Sequence, residues 1–200
     1  MPLLWIPRVC SRAFCQELQD WWQAHGNVAT GTVDSRADTD VAAQAAADIK
    51  RRRDHEIMDP ALNGRLADLF RRRVVPEVAK AFQYAATRTT GFKIGCYFDE
   101  RTTGGYFRPH RDNISPSTAH RRFAVSLLLN DPEEYEGGSL RFPEFGPREF
   151  RPRAGEALVF SCSLLHEVTD VRRGRRFVLL SFLTSKADTD AAQRHLAKTA

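Results

Sequence analysis

Phe123-Ala124-Val125-Ser126-Leu127-Leu128-Leu129-Asn130, followed by Asp131-Pro132, is the stretch that sets the fold class. Phe123, Val125, Leu127 and Leu129 alternate with Ala124, Ser126 and Leu128, the period of two that a pleated strand requires, and Asp-Pro is a turn signal. From residue 92 onward the same pattern recurs in short runs divided by turn residues such as Gly137-Gly138. The last of them, Arg176-Phe177-Val178-Leu179-Leu180-Ser181-Phe182-Leu183, is too apolar and β-prone for a solvated loop. Alternation puts Arg176 on one face with Val178, Leu180 and Phe182.

The first part of the chain reads as helical. Phe14, Cys15, Leu18, Trp21 and Trp22 follow helical spacing after Ser11, a good N-cap, and Gly26 is a stop, so the pattern predicts an amphipathic helix over 12–25. A second helix starts at Asp59-Pro60 and carries Leu62, Leu66, Leu69 and Phe70 on one stripe; Pro76 breaks or kinks it, and Val75, Val78, Ala79 and Phe82 continue as a third. Ala42 to Ala47 suggests a short helix within 30–58, a polar stretch without clear period that reads as a strand or two and a long connection. Arg51 to His55, including Asp54, either border a substrate entrance or are surface polar residues. A helix-rich beginning before about eight strands points to an α+β protein: a double-stranded β-helix, the jelly-roll or cupin layout, with helices packed on one sheet.

At 200 residues with 42% hydrophobic content, the chain suits one domain with a proper core. Its expected parts are helical support and a variable region (1–90), the β-helix core (91–185) and a C-terminal tail (186–200). No apolar run is long enough for a membrane helix and no secretory signal is indicated, so a cytoplasmic location is expected. Cys10, Cys15, Cys96 and Cys162 form no C-x-x-C pair and read as reduced core thiols. The net charge of +5 comes largely from arginine. Lys50-Arg51-Arg52-Arg53 and Arg71-Arg72-Arg73 lack interleaved aromatics and read as solvated faces, with no nucleic-acid partner expected.

Chemistry concentrates at His110-Arg111-Asp112, His166 and Arg176. Residues i and i+2 of a strand share a side, so His110 and Asp112 can reach one metal from one extended segment, with His166 supplied from elsewhere. Two imidazoles and a carboxylate form the ligand set of non-haem Fe(II) oxygenases. Arg176, a guanidinium among inward apolar side chains, needs an anionic partner, and a dicarboxylic cosubstrate suits its planar fork. Tyr106 and Arg108 share the nominal parity of His110 and are candidate pocket residues unless Pro109 disturbs it. His25, His55, His120 and His195 have no partner at metal spacing and read as structural or surface residues.

The ordered set of Tyr97, Gly105-Tyr106-Phe107-Arg108-Pro109-His110-Arg111-Asp112, Leu127-Leu128-Leu129-Asn130, Gly137-Gly138-Ser139-Leu140-Arg141-Phe142, His166 and Arg176 resembles the Fe(II)/2-oxoglutarate-dependent dioxygenases, in the branch similar to prolyl 4-hydroxylases. The resemblance covers roughly residues 92 to 184. It implies that His110, Asp112 and His166 bind Fe(II), that Arg176 holds the distal carboxylate of 2-oxoglutarate, and that Tyr97 lines that pocket. It also implies consumption of O2 and hydroxylation of an unactivated C–H bond in a peptidyl or small-molecule substrate, with succinate and CO2 released. Two positions depart from relatives among the oxygen-sensing prolyl hydroxylases: Leu128 stands for a pocket tyrosine and Leu180 for a threonine, which makes the pocket more apolar. Asp112 favours hydroxylation over halogenation, because a carboxylate fills the position a halide needs. The competing classes are an oxidative nucleic-acid demethylase, weakened by Phe182 where that family has an arginine, and a noncatalytic cupin-like metal or small-molecule binding protein. Substrate specificity is expected in the loops Asp99 to Gly104 and 30 to 58.

Overall fold

A computed structural model describes the backbone of residues 3–29, 48–98 and 104–199, and the side chains of 3–28, 48–98 and 104–194. The Ala42 to Ala47 segment, most of the Asp99 to Gly104 loop and the His195 side chain lie outside those residues. One antiparallel sheet is formed by β1 (Leu3–Ile6), β12 (Ala157–Ser161), β8 (Phe123–Leu128), β13 (His166–Thr184), β6 (Lys93–Phe98), β4 (Arg53–Glu56) and β2 (Val28–Ala29), in that spatial order, with the short β5 (Arg88–Thr89) on the end of β13. A smaller sheet faces it, in which β3 (Lys50–Arg51) pairs with β7 (Gly105–His110), and β7 with the first half of β13. On the other side of that half lie β9 (Tyr135–Gly137) and β10 (Leu140–Arg141), the latter paired with β11 (Glu149–Phe150).

The two sheets share β13. Its first residues pair in the smaller sheet, with register shifts at His166/Val168 and Val168/Val171, and from Arg175 onward it pairs with β6 and β8 in the larger one. A single 19-residue strand therefore carries both His166 and Arg176, which the sequence reading assigns to separate runs. Gly174, at φ 76°, marks the passage between the sheets.

Strand parity builds two cores. Val125, Leu127, Leu129, Phe177 and Leu179 face outward and pack against the helices. Ala124, Leu158, Phe160, Val168, Val171 and Val178 face inward between the sheets. α1 (Arg12–Ala24) starts where the Ser11 hydroxyl accepts from the Phe14 N–H at 3.2 Å, and buries Cys15, Leu18 and Trp22. α2 (Pro60–Arg73) starts where Asp59 accepts from the Leu62 N–H at 2.7 Å, and buries Leu62, Leu66 and Phe70. Pro76 does end the stripe: a new helix, α3 (Val75–Phe82), begins there because proline removes a donor but suits a first turn. Among the described residues no helix is long and apolar enough to cross a membrane.

The expected C-terminal tail is a helix, α4 (Lys186–Thr199). Its anchor is Asp188, which accepts from Tyr84 Oη at 2.6 Å, Ser185 Oγ at 2.6 Å and Arg122 Nε at 2.7 Å. Burial alone would raise the Asp188 pKa, but these donors, Arg122 first, hold it well below the usual carboxylate range. A depressed folded pKa means that this stabilisation is present above the ordinary value of about 4 and fades as pH falls below it. Melting temperatures measured from pH 7 down to pH 3 are expected to fall less steeply for Asp188→Asn than for wild type, with the variant less stable at pH 7.

Candidate metal centre and adjoining cavities

His110 ends β7 and His166 begins β13, and the two are register partners. Each imidazole donates its Nδ1–H to a carbonyl two residues earlier, His110 to Arg108 at 2.8 Å and His166 to Leu164 at 3.0 Å. A carbonyl only accepts, so both Nε2 atoms keep their lone pairs free. Those atoms lie 3.6 Å and 3.4 Å from the two Asp112 carboxylate oxygens. The ligand atoms of all three residues fall within 4.8 Å of one another. Asp112 is held by its backbone N–H, which donates to the Cys162 carbonyl at 2.9 Å. Phe107 stacks on His110, and Phe160 meets His166 edge-on with centroids 4.7 Å apart, so aromatic walls fix both rings.

Burial lowers the His166 pKa to about 4, outweighing the nearby Asp112 carboxylate. Burial pushes Asp112 the other way, but His166 and His110 outweigh it and hold the carboxyl below its usual value. At neutral pH His166 is therefore uncharged and Asp112 ionised, the states in which these groups ligate a metal.

An inner cavity of about 80 Å³ lies beside this cluster and is lined by Tyr97, Ser126, Arg176, Val178 and Leu180. His110, Asp112 and Arg52 also line an outer cavity of about 250 Å³ that includes Lys50, Lys93 and Arg121. Arg176 is 2% exposed, and its Nε and Nη1 have no hydrogen-bond partner among the described residues. It stands opposite Tyr97 across β13 and β6, its guanidinium carbon 5.1 Å from the ring centroid. Asn130 brackets it, donating to the Arg175 carbonyl at 2.8 Å and accepting from the Phe177 N–H at 2.9 Å. Gly138, at φ 63°, makes the room: a Cβ there would come within 2.8 Å of Arg176 Cδ and 2.9 Å of Val171 Cγ2.

The structure thus gathers His110, Asp112 and His166, and puts Tyr97 and Arg176 beside them. Leu180 lines the inner cavity, whereas Leu128 is buried without lining it. Tyr106 and Arg108 do not line either cavity; Arg108 lies over Tyr106 and pairs with Asp170 at 2.9 Å. Phe107 takes the pocket position instead, because the strand slips its register around Pro109, which has no N–H to give the ladder. The basic run is not a uniformly solvated face: Lys50 and Arg52 are buried with Asp54, while Arg53 is exposed. His55 turns away, accepting from Trp21 Nε1 at 3.2 Å and donating to the Gly26 carbonyl. His25 stacks on Trp21, outside the cluster. All four cysteines are free, with Cys10 and Cys15 in thiol contact at 3.4 Å. Arg52, within the Arg51 to His55 stretch read as a possible substrate border, lines both cavities, whereas Lys93 and Arg121 are among the lining residues that the sequence reading did not single out.

Residues 92–184 match the model of the 2OG-Fe(II) oxygenase superfamily. A PKHD-type hydroxylase of Azoarcus sp. (strain BH72) is 38% identical over 95 residues, which cover 46% of this chain and 41% of that protein. The chain thus spans less than half the length of that relative. Among solved structures, a Pseudomonas putida prolyl-4-hydroxylase superposes with a TM-score of 0.66 at 17% identity, covering 92% of this chain and 93% of the other. A Trichoplax adhaerens prolyl hydroxylase, solved in complex with a hypoxia inducible factor oxygen degradation domain peptide fragment, gives 0.67 at 16% identity over 94% and 85% of the two chains. At these identities the likeness is one of fold, and the fold is the double-stranded β-helix expected from the strand pattern.

Two substitutions probe how Arg176 is held. Gly138→Ala has to displace Arg176 or strain the left-handed backbone, and is expected to destabilise the protein by about 1–3 kcal/mol in urea unfolding. Asn130→Ala removes the partner of the buried Phe177 N–H and of the half-buried Arg175 carbonyl, and is expected to cost a similar amount, about 1–3 kcal/mol.

Proposed function

We propose that this protein is an Fe(II)- and 2-oxoglutarate-dependent dioxygenase that hydroxylates an unactivated C–H bond. The observation that carries this reading is the pairing of a His-Asp-His donor group with a buried guanidinium on the wall of the adjoining cavity, whose Nε and Nη1 have no hydrogen-bond partner among the described residues. The donor set fits iron: two free Nε2 lone pairs and an anionic carboxylate bind from one side and leave other coordination positions open. His110, Asp112 and His166 would hold the metal, and when bound it supplies the activation of O2 coupled to oxidative decarboxylation of 2-oxoglutarate to succinate and CO2.

The chain's own contribution is position and a dry setting. Arg176 receives the distal carboxylate, and Tyr97 closes the same cavity. Val178 and Leu180 give it apolar walls that exclude water and strengthen the ion pair. His110 and Asp112 also border the outer cavity, which in this reading takes the prime substrate. The peptide in the Trichoplax adhaerens complex supports a peptidyl substrate, with a small molecule as the other class. We read residues 1–200 as one catalytic unit, in which 1–90 support the core, 91–185 carry the metal donors and Arg176, and 186–200 follow as the C-terminal segment. Free, mostly buried cysteines favour a reducing compartment such as the cytoplasm.

Anaerobic addition of Fe(II) and 2-oxoglutarate is expected to give a weak visible charge-transfer band that Asp112→Ala abolishes. Arg176→Ala is expected to weaken 2-oxoglutarate binding by about 1.5–3 kcal/mol, the loss of a charge-assisted pair. A band that titrates identically in Arg176→Ala would overturn the cosubstrate assignment. Substrate-dependent succinate release across a panel of peptides and metabolites then identifies what is hydroxylated.

A further inference from the structure

Arg52 sits where the chain steps from β3, paired in the smaller sheet, to β4, paired in the larger one. That step sends its side chain into the mouth between the sheets, where it lines both cavities. The guanidinium is clamped: Nε donates to Asp54 Oδ1 at 2.5 Å and Nη2 to Asp54 Oδ2 at 2.9 Å, while Lys50 Nζ donates to the same carboxylate at 3.1 Å. Gly95, directly opposite Asp54, leaves the space; a Cβ there would lie 2.8 Å from Arg52 Cδ and Nε.

The remaining nitrogen, Nη1, donates to the Tyr97 hydroxyl at 3.0 Å. A guanidinium has no acceptor, so Tyr97 can only accept in this bond, and its own proton is left for another partner. Among the described residues the Tyr97 hydroxyl makes no other hydrogen bond. Tyr97 stands opposite Arg176 and shares the inner cavity with it. We propose that Arg52 is a positioning residue for cosubstrate binding: it fixes Tyr97 as a hydrogen-bond donor aimed at the carboxylate that Arg176 receives. The inference rests on the inner cavity being the 2-oxoglutarate site. It identifies Tyr97, set by a residue from the basic run, as the second group that grips a carboxylate in a pocket where Leu180 offers no hydroxyl. The positive charge of Arg52 also strengthens Tyr97 as a donor, since a hydroxyl that accepts from a cation gives up its proton more readily in a second bond.

The test measures affinity by calorimetry on the Mn(II)-loaded protein, with 2-oxoglutarate and with pyruvate, a 2-oxo acid that lacks the distal carboxylate. Arg52→Met is expected to weaken 2-oxoglutarate binding about ten-fold, the loss of one charge-assisted contact, and to leave pyruvate binding unchanged. Tyr97→Phe should give a similar selective loss, and adding Arg52→Met to it should change little further, because both substitutions remove one linked interaction. Arg52→Met/Asp54→Asn also removes the negative charge that Arg52 pairs with, and serves if the single variant folds poorly. Equal losses for the two acids, full additivity with Tyr97→Phe, or wild-type affinity in the Arg52 variants would overturn the proposal. If Arg176→Ala loses 2-oxoglutarate selectively while the Arg52 variants do not, only this inference fails. If Arg176→Ala binds both acids as wild type does, the cosubstrate reading fails with it.

Discussion

The passage of β13 from one sheet to the other is the constraint on which the site depends. Ten residues of straight strand would separate His166 from Arg176 by roughly 33 Å, too far to serve one small cavity. Register shifts before Val171 and the left-handed Gly174 turn the strand instead, so that both side chains line the same inner space. Each then has a partner directly opposite on a neighbouring strand. His110 faces His166 from β7, and Tyr97 faces Arg176 from β6. Backbone pairing therefore fixes the donors of both ends of the site before any ligand arrives, which limits the ordering that binding has to impose.

Charge in the mouth between the sheets is unevenly balanced. Arg52, Lys50 and Asp54 form a cluster in which the carboxylate is shared by two cations. Among the described residues, Arg176 is left without a hydrogen bond on Nε and Nη1 although it is almost fully buried. A buried cation without an anion opposes folding, and such a group persists where binding supplies the missing charge. Asn130 and Gly138 hold Arg176 in place without neutralising it: one ties the backbone on both sides, and the other keeps its own side chain out of the way. In the proposed reading, this local energetic loss is the counterpart of a site prepared for a carboxylate.

Strand parity and helix caps were legible in the sequence because they are local. The alternation of Phe123 to Leu129 correctly divides the residues that meet the helices from those that face inward, and Ser11 and Asp59 cap the helices they precede. Arg176 could be assigned to the inner face for the same reason. Local reading fails where register slips. Pro109 breaks the simple alternation of β7, so Phe107 rather than Tyr106 or Arg108 stands with His110. It also fails where burial is decided by a distant partner. Nothing in Lys50-Arg51-Arg52-Arg53 distinguishes a solvated run from one whose alternate members enter the interior; that depends on Asp54 two residues after Arg52, on Gly95 across the sheet, and on the change of sheet between β3 and β4. The alternation itself was visible, but its inward direction was not.

The two cavities have different chemistry, and the difference follows from which sheet faces supply their walls. The inner one takes its walls from the inward residues of β8 and β13, so Val178 and Leu180 surround a few polar groups and the local dielectric is low. There a guanidinium and a carboxylate attract strongly, and an acid lacking the second charge would leave Arg176 as unsatisfied as it is without a ligand. In the proposed reading, selection in that space comes from the penalty of leaving a buried group unpaired. The outer cavity is bounded by loop residues and by cations such as Lys93 and Arg121. Arg121 lies with its guanidinium carbon 4.0 Å from the Phe182 ring centroid, and burial, the largest influence, lowers its pKa against the pull of Asp112. Its loop-borne walls, such as Ile114 and Thr118, can vary without disturbing the paired strands that hold His110, His166 and Arg176. The rigid, apolar interior and the polar, loop-bounded mouth thus separate two demands on one fold, with His110 and Asp112 standing on the border between them.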